Sequence, residues 1–169
     1  MKKLFITALI AVAIGTSAFA DPNSSAVNKK VLNSFTNDFR GAENVNWKIN
    51  ANFIKASFVY DEKEYDAFYS KDGDIIGYSR AFTFNKLPKK ALETIAKKYP
   101  YPPYKLTECI EYTNADGEKN YFISFEKSSR LLVLQVYLTG EVSEFQKLQK
   151  EKIGLPIQKP AYPISRLLY

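Results

Sequence analysis

The order of the predicted secondary-structure elements constrains this chain more than any single motif does. Across the 169 residues, an amphipathic helix is followed by about four short strands, and the same order then occurs again. The first copy covers residues 24–86 and the second covers residues 87–150. The sequence therefore predicts an α+β fold, a tandem repeat of a helix followed by an antiparallel meander of about four strands, with the helices on one face of the sheet. Similarity between the two segments without duplication stays open as the alternative.

Two segments have the periodicity of helices with one apolar stripe. In residues 25–39, apolar side chains recur every three or four positions, and Ser24 or Ser25 is suited to cap the helix start. Gly41 stands beyond the predicted end, where a left-handed residue is often needed. The second helix is predicted over residues 87–99 and begins at a Leu-Pro pair, because proline suits the first helical turn.

Short segments with the alternation or the aromatic and β-branched content of strands fill the rest of both copies. Tight-turn sequences such as Asp72-Gly73 separate them, and such short connections predict antiparallel hairpins. The predicted strands are residues 45–49, 53–60, 65–69, 75–84, 105–113, 120–126, 130–138 and 141–148.

The start of the chain has the pattern of a secretory signal peptide. Residues 1–20 contain two lysines, an apolar run and an Ala-Phe-Ala stretch that ends at Ala20. The apolar run is shorter than a membrane-spanning helix needs, so a retained membrane anchor is the weaker alternative. We expect cleavage after Ala20 and a periplasmic or secreted product without stable membrane insertion.

The end of the chain differs in composition from the predicted domain, which covers residues 21–150. Residues 151–169 form a proline-containing C-terminal tail that is too apolar for an ordinary linker. Two arrangements are open: the tail lies extended against the domain, or it docks on something else.

Charge and cysteine content exclude several classes of protein. Removal of residues 1–20 lowers the net charge from +6 to +4, and the lysines are interspersed with acidic residues instead of forming a stripe. This pattern argues against nucleic acid as a partner. Cys109 is the only cysteine, so no internal disulfide can form. A packing role is expected for it, and a reactive or intermolecular thiol is the alternative.

The chain contains no histidine, which removes the commonest general base and zinc ligand. Catalytic triads and Cys-His pairs are therefore excluded. A carboxylate-based hydrolase is the remaining enzyme class, but the acidic residues occur around a strand start and a turn, where they are usually solvated. These residues are Glu62, Glu64, Asp66, Asp72 and Asp74. We expect no enzyme activity, no metal site and no cofactor.

Aromatic residues make up 15% of the chain, so some rings are expected on the sheet face opposite the helices. If Ile54 and Phe58 face the helices, their neighbours in the strand point the other way. Tyr78 and Arg80 are added to this predicted face, although the sequence leaves open which of their strand's side chains point to it. The predicted partner-binding residues are Phe53, Lys55, Val59, Phe68, Tyr78 and Arg80. Alternatively, the C-terminal tail or a second copy of the protein covers this face.

A set of spaced motifs resembles the PepSY-like family of exported bacterial proteins, also called β-lactamase-inhibitor-like. The motifs are residues 39–47 (FRGAENVNW), 52–58 (NFIKASF), 67–73 (AFYSKDG), 87–88 (LP) and 97–100 (KKYP). The match covers about residues 31–150. The resemblance implies a tandem fold in which each unit sets a helix against an antiparallel sheet. The family is largely uncharacterised and supplies no functional residues.

Together these features favour an exported non-enzymatic binding protein, with an inhibitor-like role as one form of that function. We expect it to engage a protein partner, such as an exported peptidase or another exported enzyme, through the open face of the antiparallel sheet. The alternative is a small-ligand-binding envelope protein with a pocket between the helices and the sheet.

Overall fold

The computed structural model describes residues 26–149, and the predicted signal peptide and C-terminal tail lie outside this range. The helices are α1 (Lys29–Asp38) and α2 (Lys89–Lys98), and a 3-10 turn (Phe84–Lys86) precedes α2. The strands are β1 (Glu43–Ile49), β2 (Ile54–Tyr60), β3 (Lys63–Tyr69), β4 (Ile75–Ala81), β5 (Lys105–Asn114), β6 (Lys119–Lys127), β7 (Arg130–Tyr137) and β8 (Val142–Gln149). Neither helix in this range has the length and apolar content needed to cross a membrane.

All eight strands form one antiparallel sheet in which each strand pairs with the next in sequence, from β1 to β8. The predicted fold class, a tandem repeat of helix-and-meander units, is therefore wrong. The sheet continues through the middle of the chain because β4 pairs with β5, with Tyr78 opposite Thr113. α1 precedes the whole sheet, and α2 lies in the connection between these two strands. Pairing of β4 with β5 satisfies backbone groups that two separate sheets would leave unpaired at their edges.

The start of α1 is fixed by a side-chain cap and by contact with a hairpin. The Asn28 Oδ1 atom accepts a hydrogen bond from the Val31 N–H at 3.0 Å, so the helix begins later than predicted, and the predicted serine caps lie outside the described residues. The Asn28 side-chain amide also donates to the Lys71 carbonyl at 2.7 Å, which ties the helix to the β3–β4 hairpin. Beyond the helix, Gly41 has a φ of +91°, which confirms the predicted left-handed residue.

One face of α1 packs over β1, β2 and β3 in an aromatic core. Phe35 is the centre of this core, with its ring centroid 4.9 Å from that of Phe58 and 5.1 Å from that of Trp47. Beneath the helix, Ala56 and Ala67 are cross-strand partners without solvent exposure. These small side chains leave room for the rings, so the helix lies close to the sheet.

The second helix packs on the same face of the sheet, over β6 and β7. Ala91 and Ile95 of α2 share a core with Ile123 and Leu134, and all four are at most 2% exposed. Successive cross-strand partners connect this core with the α1 core across the middle strands, so both helices lie on one side of the sheet. These partners are Tyr65, Arg80, Glu111, Tyr121 and Val136.

Cys109 lies on β5 at the margin of the α2 core and is a free thiol. Burial, with a smaller contribution from the charge of Glu108, raises the pKa of the Cys109 thiol to about 12. The thiolate is the reactive form, so this cysteine is protonated and inert at neutral pH.

Candidate functional site

Four of the six predicted partner-binding residues lie on the sheet face opposite α1 and α2, here named the helix-free face. Lys55 and Phe68 are cross-strand partners on this face, Val59 lies further along β2, and Phe53 packs against it from the residue before β2. Phe53 is only 3% exposed and Phe68 only 1%. The two phenylalanines therefore do not offer their rings to a partner, because they are packed into an apolar cluster.

This cluster, the helix-free core, contains residues from six strands as well as Phe53. Its buried members are Phe53, Phe68, Ile110, Tyr112, Phe122, Leu131 and Val133, and Ile76, Phe145 and Leu148 pack at its margin. The rings meet edge to face, with centroids 5.7 Å apart for Phe53 and Phe68 and 5.1 Å apart for Phe122 and Phe145. The centre of the face is thus an apolar interior, whereas a protein-binding surface needs rings that a partner can reach.

Polar side chains accompany this core. The Lys55 Nζ atom lies 3.0 Å from Asp66 Oδ2, and the Ser57 hydroxyl donates to the other carboxylate oxygen of Asp66. The pKa of Glu108 is raised to about 7, mainly by burial and to a smaller extent by the negative charge of Asp66, whereas Lys55 opposes the shift. The carboxyl of Glu108 is thus poised to titrate near neutral pH.

We expect replacement of Glu108 by glutamine to remove a pH dependence of stability. In the folded protein the pKa of this carboxyl is raised above its ordinary value of 4.5, so its stabilising contribution is complete below pH 4.5 and is lost as the pH rises through 7. Glu108→Gln should therefore be more stable than the wild type at pH 8, by on the order of 2 kcal/mol, and about equal to it at pH 4.5. Urea denaturation between pH 4.5 and 8 measures the difference.

Exposed Glu141 in the β7–β8 hairpin provides the control for this experiment. Glu141→Gln should keep the pH dependence of the wild type. A Glu108→Gln variant whose free energy of unfolding follows the wild-type curve throughout would contradict the assignment to Glu108.

Tyr78 and Arg80 lie on the helix side of the sheet, so their predicted place on the helix-free face is wrong. Tyr78 pairs with Ala67 and Arg80 pairs with Tyr65, both positions on the α1 side. The register of β3 and β4 shifts at Ile76, which has no cross-strand partner in β3. This extra residue changes the face on which the following side chains lie.

Tyr78 belongs to a shallow, open depression where the end of α1 meets the sheet, which we name the tyrosine depression. Its volume is about 340 Å³, and it is lined by Asp38, Phe39, Tyr60, Tyr65, Ile75 and Tyr78. Ring contacts join its aromatic residues, with centroids 5.6 Å apart for Phe39 and Tyr78 and 6.3 Å apart for Tyr65 and Tyr78. Its three tyrosines are half-buried. Within residues 26–149, their hydroxyls have no hydrogen-bond partner.

The carboxylate of Asp38 at the rim of this depression is held by the sheet. The Tyr69 hydroxyl donates to Asp38 Oδ2 at 2.9 Å. Burial, together with this hydrogen bond and the negative charge of Asp38, raises the pKa of Tyr69, so the hydroxyl remains a donor at all physiological pH values. The position of Asp38 is thereby fixed at the end of α1, and within the described part of the chain its other oxygen accepts no hydrogen bond.

Arg80 stands beside the tyrosine depression in a small charge network. Its Nε atom donates to Glu111 Oε1 at 3.0 Å, and Lys119 Nζ lies 3.7 Å from the same oxygen. The hydrogen bond to Glu111 is the main reason that the pKa of Arg80 is raised. Among residues 26–149 the guanidinium bonds only through its Nε donor, and its side chain is 27% exposed, so its terminal N–H groups can bind a further carboxylate.

A second open depression lies at the β2–β3 turn. It has a volume of about 400 Å³ and is lined by Val59, Glu62, Lys63, Glu64, Arg80 and Ala81. Val59, its partner Glu64 and Ala81, the partner of Ile110, lie on the helix-free face, and Arg80 contributes from the helix side. The two depressions therefore lie largely on opposite faces of the sheet, and only the tyrosine depression is on the helix side.

The described residues contain no group of three or more cysteine, aspartate and glutamate side chains that could hold a metal ion. The expectations that the protein is not an enzyme and needs no cofactor stay predictions. Sequence reasoning missed Asp38, Phe39, Tyr60 and Tyr65 as site residues. The signal that could have found them is the pair of tyrosines flanking the β2–β3 turn, but their common face follows only from the strand register.

One antiparallel sheet with both described helices on a single face defines the class of fold. Solved structures of similar fold include a BLIP-like protein from Bacteroides fragilis NCTC 9343, with a TM-score of 0.62, 11% identity, and coverage of 78% of this chain and 90% of that chain. A DUF2874 family protein from Bacteroides uniformis ATCC 8492 has a TM-score of 0.62, 10% identity, and coverage of 72% and 88%. A candidate periplasmic protein from Bacteroides eggerthii DSM 20697 has a TM-score of 0.62, 12% identity, and coverage of 73% and 88%.

These similarities establish a BLIP-like fold, as the β-lactamase-inhibitor-like part of the resemblance implied. No protein-family model matches the chain. No curated protein matches it either. Membership of the PepSY-like family therefore stays a prediction.

Proposed function

We propose that this chain is an exported non-enzymatic binding protein that engages a protein partner through the tyrosine depression and Arg80. The observation that carries this proposal is the set of three half-buried tyrosines without hydrogen-bond partners among the described residues. Tyrosine and arginine are the residues most enriched at the energetic centres of protein interfaces. The rings supply apolar contact area, and the free hydroxyls supply polar contacts that a partner completes.

The shape and charge of the surface favour a protein over a small molecule as the partner. Both depressions are shallow and open, whereas a small-molecule site usually encloses most of its ligand. Asp38 lines the tyrosine depression and Arg80 is the cross-strand partner of Tyr65, so charges of both signs accompany its rings. Such a rim is typical of protein interfaces, where polar residues surround an aromatic centre. An exported peptidase or another exported enzyme fits this description.

Export itself is part of the proposal. It is supported by the signal-peptide pattern of residues 1–20 and by the similarity in fold to a candidate periplasmic protein. The similarity to a BLIP-like protein is consistent with a binding role without catalysis. Mass spectrometry of the processed protein from its native envelope should find Asp21 at the N-terminus.

The proposed surface can be tested by capture of a partner from the native envelope, followed by titration of the purified partner. We expect Tyr65→Ala and Tyr78→Ala each to weaken the dissociation constant by roughly 30-fold, the effect of losing one interface hot spot. Tyr137→Ala is the matched control, because Tyr137 is 37% exposed on β7, away from both depressions. Near-ultraviolet circular dichroism checks that each variant is folded. Unchanged affinity in folded Tyr65→Ala and Tyr78→Ala would remove this surface from consideration.

A small ligand is the second candidate, because the tyrosine depression lies between α1 and the sheet, where the sequence predicted a pocket for the alternative function. A thermal-shift screen against metabolites distinguishes the two functions. A compound that raises the melting temperature of the wild type but not of Tyr65→Ala would favour the small-ligand function.

A further inference from the structure

We propose that the C-terminal segment, residues 151–169, packs across the helix-free core and covers it. This inference is independent of the proposed partner, since it concerns the opposite face of the sheet from the tyrosine depression. Partner binding and tail docking can therefore fail separately.

The first observation is that the helix-free core is buried although neither described helix packs on it. Phe122 is 2% exposed, Phe68 is 1% exposed and Val133 has no exposure. Both described helices pack on the other face, and the members of this core are strand residues, apart from Phe53 next to β2. Side chains on one face of a single sheet need a covering layer to be excluded from water.

The second observation is the size of the apolar surface that would otherwise face water. The helix-free core extends from β3 to β8, and its margin adds Ile76, Phe145 and Leu148. Soluble monomers rarely leave a contiguous apolar face of this kind uncovered, which favours an occupant for it.

The third observation is the point at which the chain leaves the sheet. β8 is an edge strand among the described strands, and Phe145 and Leu148 near its end already belong to the margin of the helix-free core. Leu148 pairs with Leu131, a buried member of that core. The segment that follows Gln149 therefore starts beside the surface that needs cover.

The segment is long enough to cross the whole sheet. An extended chain spans about 3.3 Å per residue, so residues 151–169 reach about 60 Å. Eight strands spaced about 4.8 Å apart occupy only about 34 Å.

The composition of the segment suits a covering strap better than a ninth strand. Proline lacks the N–H group that a strand pairing needs and favours extended backbone, and the segment has prolines at positions 156, 160 and 163. Seven large apolar side chains beside, between and after the prolines match an apolar surface. They are Leu155, Ile157, Tyr162, Ile164, Leu167, Leu168 and Tyr169.

Truncation after Lys150 tests the proposal. We expect the truncated protein to bind an apolar fluorescent dye several-fold more strongly than the full processed chain. A synthetic peptide of residues 151–169 should bind the truncated protein and reverse this gain, whereas a scrambled peptide should not. The full chain should not bind the peptide, because its own segment occupies the face. Equal dye binding by the two forms, with no binding of the peptide, would overturn the proposal.

Photo-crosslinking within the full chain decides the question even if the truncated protein fails to fold. A photoreactive benzoylphenylalanine replaces Phe145 at the margin of the helix-free core, and Val142 on the helix side of the same strand is the control position. We expect crosslinks from position 145 to residues 151–169 in the same chain and none of these from position 142. Crosslinks from position 145 only to a second copy, or only to strand residues, would overturn the proposal.

Discussion

Replacement of Phe35 by alanine is expected to lower the free energy of unfolding by about 3–5 kcal/mol, the usual cost of removing a buried phenylalanine. Phe35 is 6% exposed and its ring contacts four other rings, those of Phe39, Trp47, Phe58 and Tyr69. The cavity would lie between α1 and the sheet, where the aromatic partners cannot close it without leaving their own contacts. Urea denaturation followed by fluorescence measures the loss, because Trp47 is the only tryptophan and lies in the affected core.

The neighbouring position on the helix provides the control. Thr36 is exposed, and Thr36→Ala should change stability by less than about 0.5 kcal/mol. An unchanged slope of the free energy against urea would show that the Phe35 effect arises from the folded state. A loss below about 1 kcal/mol in Phe35→Ala would contradict the central place of this ring in the α1 core.

Replacement of Gly77 by alanine is expected to destabilise the protein by about 3 kcal/mol, at the upper end of the usual cost of overpacking. A β-carbon at this position would clash with the Tyr112 hydroxyl and would lie 2.5 Å from the Thr113 carbonyl oxygen. Tyr112 crosses over Gly77 because its hydroxyl donates to the Ile76 carbonyl at 3.1 Å. The backbone oxygen belongs to the paired strand β5, so relief would need β4 and β5 to separate.

Thermal or urea unfolding measures this effect, and Ser79→Ala is the comparison on the same face of β4. Ser79 is 6% exposed and pairs with Tyr112, but its substitution removes an atom instead of adding one. We expect a change of less than about 1 kcal/mol for Ser79→Ala. Equal stability of Gly77→Ala and the wild type would show that β4 and β5 have more freedom than the structure indicates.

The local elements of the fold were predictable because their causes are local. Periodicity placed α1 and α2, and glycines marked the ends of elements: Gly41 after α1 and Gly73 in the β3–β4 hairpin both have positive φ. The predicted strands agree with the observed ones to within a few residues at each end. The cap of α1 was misplaced because several polar residues precede the apolar stripe, and only the structure shows that Asn28 bonds to Val31.

The arrangement of these elements was not predictable, because it depends on contacts between distant residues. The β4–β5 pairing joins residues on either side of α2, and no tight-turn sequence between the two strands predicts it. The face of Tyr78 and Arg80 depends on the extra residue at Ile76, which the alternation of apolar and polar residues does not reveal. The candidate site was therefore only partly predictable, since Tyr60 and Tyr65 join Tyr78 only in the correct register.

The neighbour-by-neighbour strand order has a consequence for how the chain folds. Most strand pairs are hairpins that close short loops, and such contacts cost little chain entropy, so they form quickly. The exception is β4 with β5, whose pairing has to close residues 82–104. The strands on each side of this loop would then form rapidly as two separate groups, and the two groups would dock in a single slower step. In that step the Tyr112 side chain has to pack over Gly77.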